Sequence, residues 1–254
     1  MKIKFGYSIQ HLQQLNCNHC LIKNFVFIIL ISMLIHINNC KSQNQSSFVK
    51  DNKKWNIYEF YKTTKEHHKT YQIKLKGDTI INEIKYFSVF LSTDLTKDEI
   101  WIRLGFIRED TTQKVFFLYN EQEFLLYDFS VKVGDTLEIY NTYRKKPGIP
   151  INEHCKLIVS EVDSVFIKKQ RKRIILHQIC SSSAKSVWIE GLGDLKGIFH
   201  SSLEYSICND NDNRVVGHKM GGASYQLLCV YENDTLIYKN PKIDNCIIKN
   251  TFIR

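Results

Sequence analysis

Apolar and polar residues alternate with a period of two through most of the chain after residue 55. This alternation is typical of half-buried β-strands, whereas an amphipathic helix repeats its apolar positions every 3.6 residues. Polar turn sequences separate the runs at residues 76–78, 108–112, 120–123 and 133–136. These connections are too short for the crossovers of parallel strands, so consecutive strands are predicted to pair as antiparallel hairpins. The runs cover residues 55–60, 70–75, 79–91, 100–107, 114–119 and 124–129.

The second half of the chain continues the same pattern with longer runs. Residues 155–167 and 171–180 are predicted to form a long hairpin that turns at residues 168–170. Further runs follow at residues 187–199, 225–231 and 235–240. About eight to twelve short strands at this spacing predict one all-β domain, an antiparallel meander that forms a barrel or a sandwich. We expect this single domain to cover residues 55–254.

An uncharged apolar run covers residues 25–37, with Lys23 before it and a polar stretch after it. A helix that spans a membrane needs about 20 apolar residues, so this shorter run predicts the hydrophobic part of a signal peptide. We therefore expect residues 1–39 to be a signal segment, with the natural start near residue 21. Residues 40–54 are polar and are predicted to be a tether.

Cys40 follows the apolar run at the position of the lipidated cysteine of a bacterial lipoprotein. Diacylation there would hold the protein at a membrane, because each buried methylene contributes roughly 0.8 kcal/mol. Asn39 is larger than the small residue that usually precedes such a cysteine. Soluble secretion and an uncleaved anchor therefore stay open as alternatives. The predicted location is the outer membrane or cell surface, or otherwise the periplasm or the medium.

The chain has a formal net charge of +9, and +6 remains after Asn39 because three lysines and no acidic residue lie in the leader. This excess fits either an ordinary solvated surface or attraction to anionic partners such as acidic polysaccharide. A basic cluster at residues 168–173 coincides with the predicted hairpin turn. It lacks the interleaved aromatic residues of a single-strand binder. We expect a solvated tip there and no nucleic-acid partner.

Five cysteines lie in the predicted domain, and in an oxidising compartment we expect them to pair. Cys229 and Cys246 flank a predicted hairpin and its following loop. Cys155 and Cys180 begin and end the long hairpin, where they are expected to lie opposite each other. These are the two predicted disulfides. Cys208 is left as a free thiol, a partner in a different pairing, or a nucleophile.

The local signatures of the common hydrolases and nucleoside triphosphatases are missing, since the chain has no Gly-x-Ser-x-Gly elbow, His-Glu-x-x-His pair or Walker loop. We predict no catalytic residue, no cofactor and no metal site. The alternative is an envelope hydrolase or thiol enzyme that uses residues 190–218. Weaker metal-site candidates lie at residues 17–20, 66–68 and 210–213. The polar side chains of the alternative site are Glu190, Asp194, His200, Cys208 and His218.

Three segments carry a family resemblance: residues 125–139 (LLYDFSVKVGDTLEI), 187–199 (VWIEGLGDLKGIF) and 227–246 (LLCVYENDTLIYKNPKIDNC). Together they resemble a group of uncharacterised secreted proteins and lipoproteins of Bacteroidota. The resemblance implies export and a β-rich fold, and it implies no particular activity. We therefore expect an exported, membrane-tethered, non-catalytic module of the cell envelope. Its expected partners are the membrane, through the lipid anchor, and an envelope protein or a glycan, with the oligomeric state left open.

Overall fold

The computed structural model describes most of the chain from Ser46 onward. The predicted signal segment and Cys40 lie outside the described residues. Within them every regular element is a β-strand, which confirms the predicted all-β antiparallel class. No helix in this part of the chain is long and apolar enough to cross a membrane. The described residues are 46–62, 66–93, 100–140, 154–179, 181–200, 206–208, 215–218, 224–248 and 251–252.

The described strands form two large antiparallel sheets and one small one. In chain order they are β1 (Lys53–Lys62), β2 (Glu66–Ile81), β3 (Ile84–Ser92), β4 (Ile102–Glu109), β5 (Lys114–Tyr119), β6 (Gln122–Asp128), β7 (Thr136–Tyr140), β8 (His154–Ile167), β9 (Lys169–Gln178), β10 (Ser181–Ile189), β11 (Gly193–Asp194), β12 (Ser206–Cys208), β13 (Val215–His218), β14 (Ser224–Glu232), β15 (Thr235–Lys239) and β16 (Thr251–Phe252). The first sheet has the order β15-β14-β1-β2-β3-β4-β5-β6, with β16 beside β2. The second sheet has the order β11-β10-β9-β8-β7, and β12 pairs with β13. Both large sheets curl into half-barrels.

Most sequence neighbours are also neighbours in the two large sheets, as the short loops predict. The long hairpin is β8 and β9, which turn at Lys168 as predicted. The sequence pattern does not predict two pairings near the end of the chain: β14 lies beside β1, and β16 lies beside β2. These pairings bring the last part of the chain back to the first two strands.

Three hairpins turn through two residues that both have positive φ, which is the geometry of a type I′ turn. Each pair begins with asparagine, which tolerates the left-handed region: Asn82–Glu83, Asn120–Glu121 and Asn233–Asp234. The turn predicted at residues 76–78 is wrong, because β2 continues to Ile81 and its register shifts there in a β-bulge. Gly77, with φ of +70°, supplies the bulge without reversing the chain.

One hydrophobic core contains side chains from both large sheets. Alternate residues of β1, such as Trp55 and Ile57, are fully buried in it, and so is Trp188 of β10. The residues between them point the other way, because side chains alternate along a strand. Asn56 and Gln72 lie opposite each other there and are joined by a 3.0 Å hydrogen bond. We refer to this second side of the first sheet as its outer face.

Residues 190–200, which follow β10, pack into the core although the sequence is rich in glycine. The Trp55 indole donates a hydrogen bond to the carbonyl of Leu192 (2.8 Å), and the Tyr127 hydroxyl donates to the carbonyl of Ile198 (2.7 Å). Gly193 has φ of +92°, and a Cβ there would lie 3.0 Å from the Tyr127 oxygen. Close backbone approach is therefore what requires glycine at this position.

The compact unit that contains the described strands begins at Ser46, nine residues before the predicted start of the domain. Phe48 is fully buried, with its ring centroid 5.6 Å from that of Trp55 and 5.1 Å from that of Tyr127. The Glu109 carboxylate accepts a hydrogen bond from the Phe48 amide at 2.8 Å. The residues after Gln45 therefore belong to the packed domain, although their polar composition predicts a tether.

The segment 241–248 crosses the outer face of the first sheet. A disulfide between Cys229 and Cys246 fixes it, with the two Cα atoms 5.4 Å apart, and this predicted pairing is confirmed. Thr70 and Ile248 exchange two hydrogen bonds, of 3.1 and 2.9 Å. The disulfide thus ties the C-terminal segment to the centre of the sheet.

Candidate binding groove

A groove of about 820 Å³ lies between the tip of the β2–β3 hairpin and the tip of the β5–β6 hairpin. Its size is within the range of pockets that hold small ligands. Apolar and aromatic side chains are combined there with amide, guanidinium and carboxylate groups. The lining residues are Ile81, Asn82, Ile84, Tyr86, Arg103, Leu104, Gly105, Phe106, Leu118, Tyr119, Asn120, Glu121 and Glu123.

The alternation of side chains along β3 and β4 places the groove on the outer face. Phe87 and Ile107 are register partners that contact the core. Their neighbours Tyr86 and Phe106 must therefore point to the outer face. Phe106 pairs in turn with Leu118 of β5, so these two side chains form an apolar floor.

A hydrogen-bonded network fixes one wall of the groove. The Glu123 carboxylate accepts the Tyr86 hydroxyl at 2.6 Å and the Arg108 guanidinium at 2.5 and 2.7 Å. Arg108 also lies 4.1 Å from the ring centroid of Phe116. Burial acts to raise the pKa of Glu123, but the hydrogen bonds from Arg108 and Tyr86 outweigh it and hold that pKa below its usual value. Glu123 is therefore an ionised acceptor at neutral pH.

The remaining polar groups of the groove come from the start of β4 and from the two hairpin turns. The exposed Arg103 guanidinium lies 5.4 Å from the ring centroid of Phe106. Asn82 and Asn120 occupy the left-handed first positions of their turns and line the groove. An amide can both donate and accept hydrogen bonds, so the two ends of the groove are suited to ligand hydroxyl groups.

Sequence reasoning missed the groove because its residues come from five strands and form no local motif. In the sequence, Tyr86, Arg103 and Glu123 are ordinary outward positions of alternating strands. The usable signal was the asparagine that begins each turn, since it marks the hairpin tips between which the groove lies.

Glu190, the first residue of the alternative enzyme site, has a structural role. Its carboxylate accepts the Ser46 amide at 2.9 Å and the Lys172 amide at 3.2 Å. These two bonds connect the start of the domain to β9. The carboxylate is thus occupied by backbone donors of the fold.

Asp194 and His200 are each only 1% exposed. Asp194 hydrogen-bonds the Ser186 hydroxyl, and burial raises its pKa to about 6 against the opposing effects of Lys196 and Ser186. His200 lies 3.0 Å from the Tyr71 hydroxyl through Nε2. Both side chains are bonded within the core, where a substrate does not reach them.

Several predicted site residues have side chains outside the described part of the chain. Cys208 and His218 lie on β12 and β13, of which only the backbone is described. Cys155 lies on β8 in the same way, and Cys180 and Cys40 are outside the described residues altogether. The second predicted disulfide and the lipidation site therefore stay predictions.

The metal-site candidates are only partly within the described residues. No group of three or more His, Cys, Asp or Glu side chains in the described part of the chain is arranged to hold a metal ion. His68 hydrogen-bonds the Tyr58 hydroxyl through Nδ1. Residues 17–20 and 210–213 lie outside the described ranges.

The basic cluster at the β8–β9 turn is less solvated than predicted. Arg171 is buried and donates to the Glu190 carbonyl at 3.0 Å, and Lys172 donates to two further carbonyls at 2.7 Å. Arg173 forms a two-bond ion pair with Asp163. The prediction of a solvated tip is wrong for Arg171, which is buried, and Lys172 is half-buried because backbone carbonyls take up its donors. The ion pair of Arg173 with Asp163 stays partly exposed.

No protein-family model, curated protein or solved structure matches the chain. The protein is therefore classified from its own structure. In its described residues it is an all-β protein with two large, curled antiparallel sheets, and an open groove lies on the outer face of the larger sheet.

Proposed function

We propose that the protein is a membrane-tethered extracytoplasmic lipoprotein that binds a glycan of the cell envelope without transforming it. The proposal of glycan binding rests on the groove, in which an apolar floor lies beside fixed hydrogen-bonding groups. The tether is supported by Cys40, which directly follows an apolar run, and by the resemblance to lipoproteins of Bacteroidota.

A sugar ring has C–H faces and hydroxyl groups, and the groove offers a partner for each. Phe106 and Leu118 provide the apolar surface for the ring faces. Asn82, Asn120 and Arg103 provide donors and acceptors at the rim. A few polar groups placed around an apolar floor are typical of a site that orients a small ligand.

The chemistry of the lining favours binding over catalysis. None of the residues that line the groove is Ser, Thr, Cys, His or Lys, so it lacks the serine, threonine, cysteine or lysine nucleophile and the histidine base of many enzymes. Hydrolysis of a glycosidic bond usually needs a carboxylic acid with a raised pKa. The pKa of Glu123 is instead lowered by its bonds to Arg108 and Tyr86.

The test is retention of the purified protein on immobilised polysaccharides: peptidoglycan, dextran and polygalacturonate. Leu118→Glu places a charged side chain on the groove floor and should abolish retention on whichever polysaccharide the unmodified protein binds. Leu236→Glu is the matched control, because Leu236 is partly exposed on β15 and does not line the groove. A thermal melt of each variant checks that the domain is folded.

Retention that disappears in Leu118→Glu and persists in Leu236→Glu supports the proposal. The proposal is overturned if none of the three polysaccharides retains the protein, or if both variants bind as the unmodified protein does.

A further inference from the structure

Three basic residues lie in one row across the outer face of the first sheet, with Phe90 between the second and the third. Lys54 of β1 is the register partner of Lys74 of β2, and Lys74 is the partner of Phe90 of β3. Phe90 is in turn the partner of Arg103 of β4. We refer to Lys54, Lys74 and Arg103 as the cation row. Since neighbouring strands are about 4.8 Å apart, the row spans three strand spacings.

Each cation of the row lies over an aromatic ring on the same part of the sheet. A ring beneath a cation attracts it and restrains its long side chain, so the charge is held in one place. The distances to the ring centroid are 5.1 Å for Lys54 over Tyr231, 3.9 Å for Lys74 over Trp101 and 5.4 Å for Arg103 over Phe106.

The row leads into the groove and is most exposed at that end. Arg103 is exposed and lines the groove, so one end of the row is part of that site. Lys54, at the other end, lies 4.0 Å from Asp234, whose side chain is 97% exposed. An ion pair of this kind contributes little, because water and salt screen it. Lys54 can therefore exchange this carboxylate for one of a ligand.

We propose that the bound glycan is acidic, with repeated carboxylate groups that lie along the cation row and one sugar unit in the groove. This inference rests on the proposed function, because Arg103 of the row and the Phe106 ring beneath it both line the groove. A neutral glycan would gain nothing from three aligned cations. A polyanion gains both contact energy and faster association from them.

Single-stranded nucleic acid is the other polyanion that such a row could suit. Proteins that bind single strands stack the bases on open aromatic rings. Here each ring beneath the row has a cation against one face, so that face is not open for a base to stack on. The site offers positive charge instead. The arrangement therefore favours the acidic polysaccharide.

The test compares the affinity of the full chain for polygalacturonate, dextran and oligo(dT), measured by biolayer interferometry. We expect polygalacturonate to bind most tightly, and its affinity to fall as salt is raised because exposed charges are screened. The triple variant Lys54→Gln, Lys74→Gln and Arg103→Gln should bind polygalacturonate about tenfold more weakly or worse, because it removes the three positive charges of the row.

The matched control removes the same charge elsewhere. Lys132, Lys185 and Lys242 are exposed and lie outside the row and the groove. Their triple replacement by glutamine should change the affinity by no more than about twofold, since long-range attraction is screened at physiological salt. A similar loss in both triple variants would mean that net charge alone is responsible, and would overturn the inference.

The outcomes separate this inference from the proposed function. Equal binding of dextran and polygalacturonate, with no effect of the row variant, overturns the acidic ligand and leaves glycan binding in place. Tighter binding of oligo(dT) than of polygalacturonate overturns the inference in favour of nucleic acid. Failure of every polysaccharide overturns the proposed function itself.

Discussion

Lys53 and Asp194 are fully buried in the domain, and burial shifts the pKa of each. Lys53 donates to the carbonyls of Gly191 (2.6 Å) and Ser47 (3.1 Å), and burial lowers its pKa to about 8 although Glu232, at 3.1 Å, opposes the shift. Burial raises the pKa of Asp194, because it disfavours the anionic form of the carboxyl group. Both residues belong to the contacts of the buried segment 190–200, so this segment connects to the core through charged groups as well as apolar ones.

The raised pKa of Asp194, about 6, predicts a pH dependence of stability. Between pH 4 and 6 the folded state keeps a proton that the unfolded chain, with a pKa near 3.8, releases. The free energy of unfolding should therefore fall as pH rises through this window, by up to about 3 kcal/mol. Asp194→Asn removes this contribution, so urea unfolding from pH 4 to 7 should show a flatter dependence in the variant than in the unmodified protein.

Asp163→Asn is the control for this comparison. The ion pair with Arg173 lowers the pKa of Asp163. The contribution of Asp163 to the free energy of unfolding therefore changes only below about pH 4. This control should leave the slope between pH 4 and 7 unchanged. Parallel pH dependences of the unmodified protein and Asp194→Asn would show that Asp194 is ionised in the same way in the folded and unfolded states.

At the scale of elements, alternation and loop length predicted most of the long strands and the antiparallel pairing of consecutive ones, but not the pairings of β14 with β1 and of β16 with β2. The turn at Lys168 and the pair Asn233–Asp234 were located because polar residues interrupt apolar runs. The turn at Asn82 was missed, since it lies within the run 79–91 and Gly77 nearby gave the stronger signal. Glycine suits a bulge and a turn equally well, so the sequence alone does not separate them.

The second predicted disulfide lies at the open end of the long hairpin, where the described ladder ends. Leu157 pairs with Gln178, and the Ile179 amide donates to the Lys156 carbonyl at 3.1 Å. Gln178 also pairs with Ser181 of β10, and Cys180 lies outside the described residues. The pairing of Cys155 with Cys180 therefore stays a prediction from the sequence.

We therefore expect a peptide map without reduction to contain a Cys155–Cys180 cross-link beside Cys229–Cys246, with Cys208 as the free thiol of the domain. Replacing both Cys155 and Cys180 by serine should lower the free energy of unfolding by about 2–4 kcal/mol, because the closed loop restrains the unfolded chain. Cys208→Ser should have little effect. Detection of a Cys155–Cys208 or Cys180–Cys208 peptide would contradict the pairing.

At the scale of the whole molecule, the sequence predicted the fold class but neither the groove nor the start of packing. The groove depends on how hairpins distant in sequence curl together, which no local pattern encodes. Phe48 was the single aromatic residue in a polar stretch, and its burial beside Trp55 moves the domain start to Ser46.

Lipidation at Cys40 is the prediction on which the tether depends. When the chain with Cys40 in place is expressed in a bacterium that processes lipoproteins, intact mass spectrometry should show a product that begins at Cys40 and carries a diacylglyceryl group. It should sediment with membranes, since two acyl chains bury many methylenes at roughly 0.8 kcal/mol each. Cys40→Ser should lose both the adduct and the sedimentation, whereas Cys208→Ser should keep both.

A thermal melt separates a loss of membrane attachment from a loss of folding. Because the compact unit that contains the strands begins at Ser46, Cys40→Ser should melt at the same temperature as the chain with Cys40 in place. A product that retains residues 1–39 and carries no diacylglyceryl group would contradict lipidation at Cys40 and point to an uncleaved anchor.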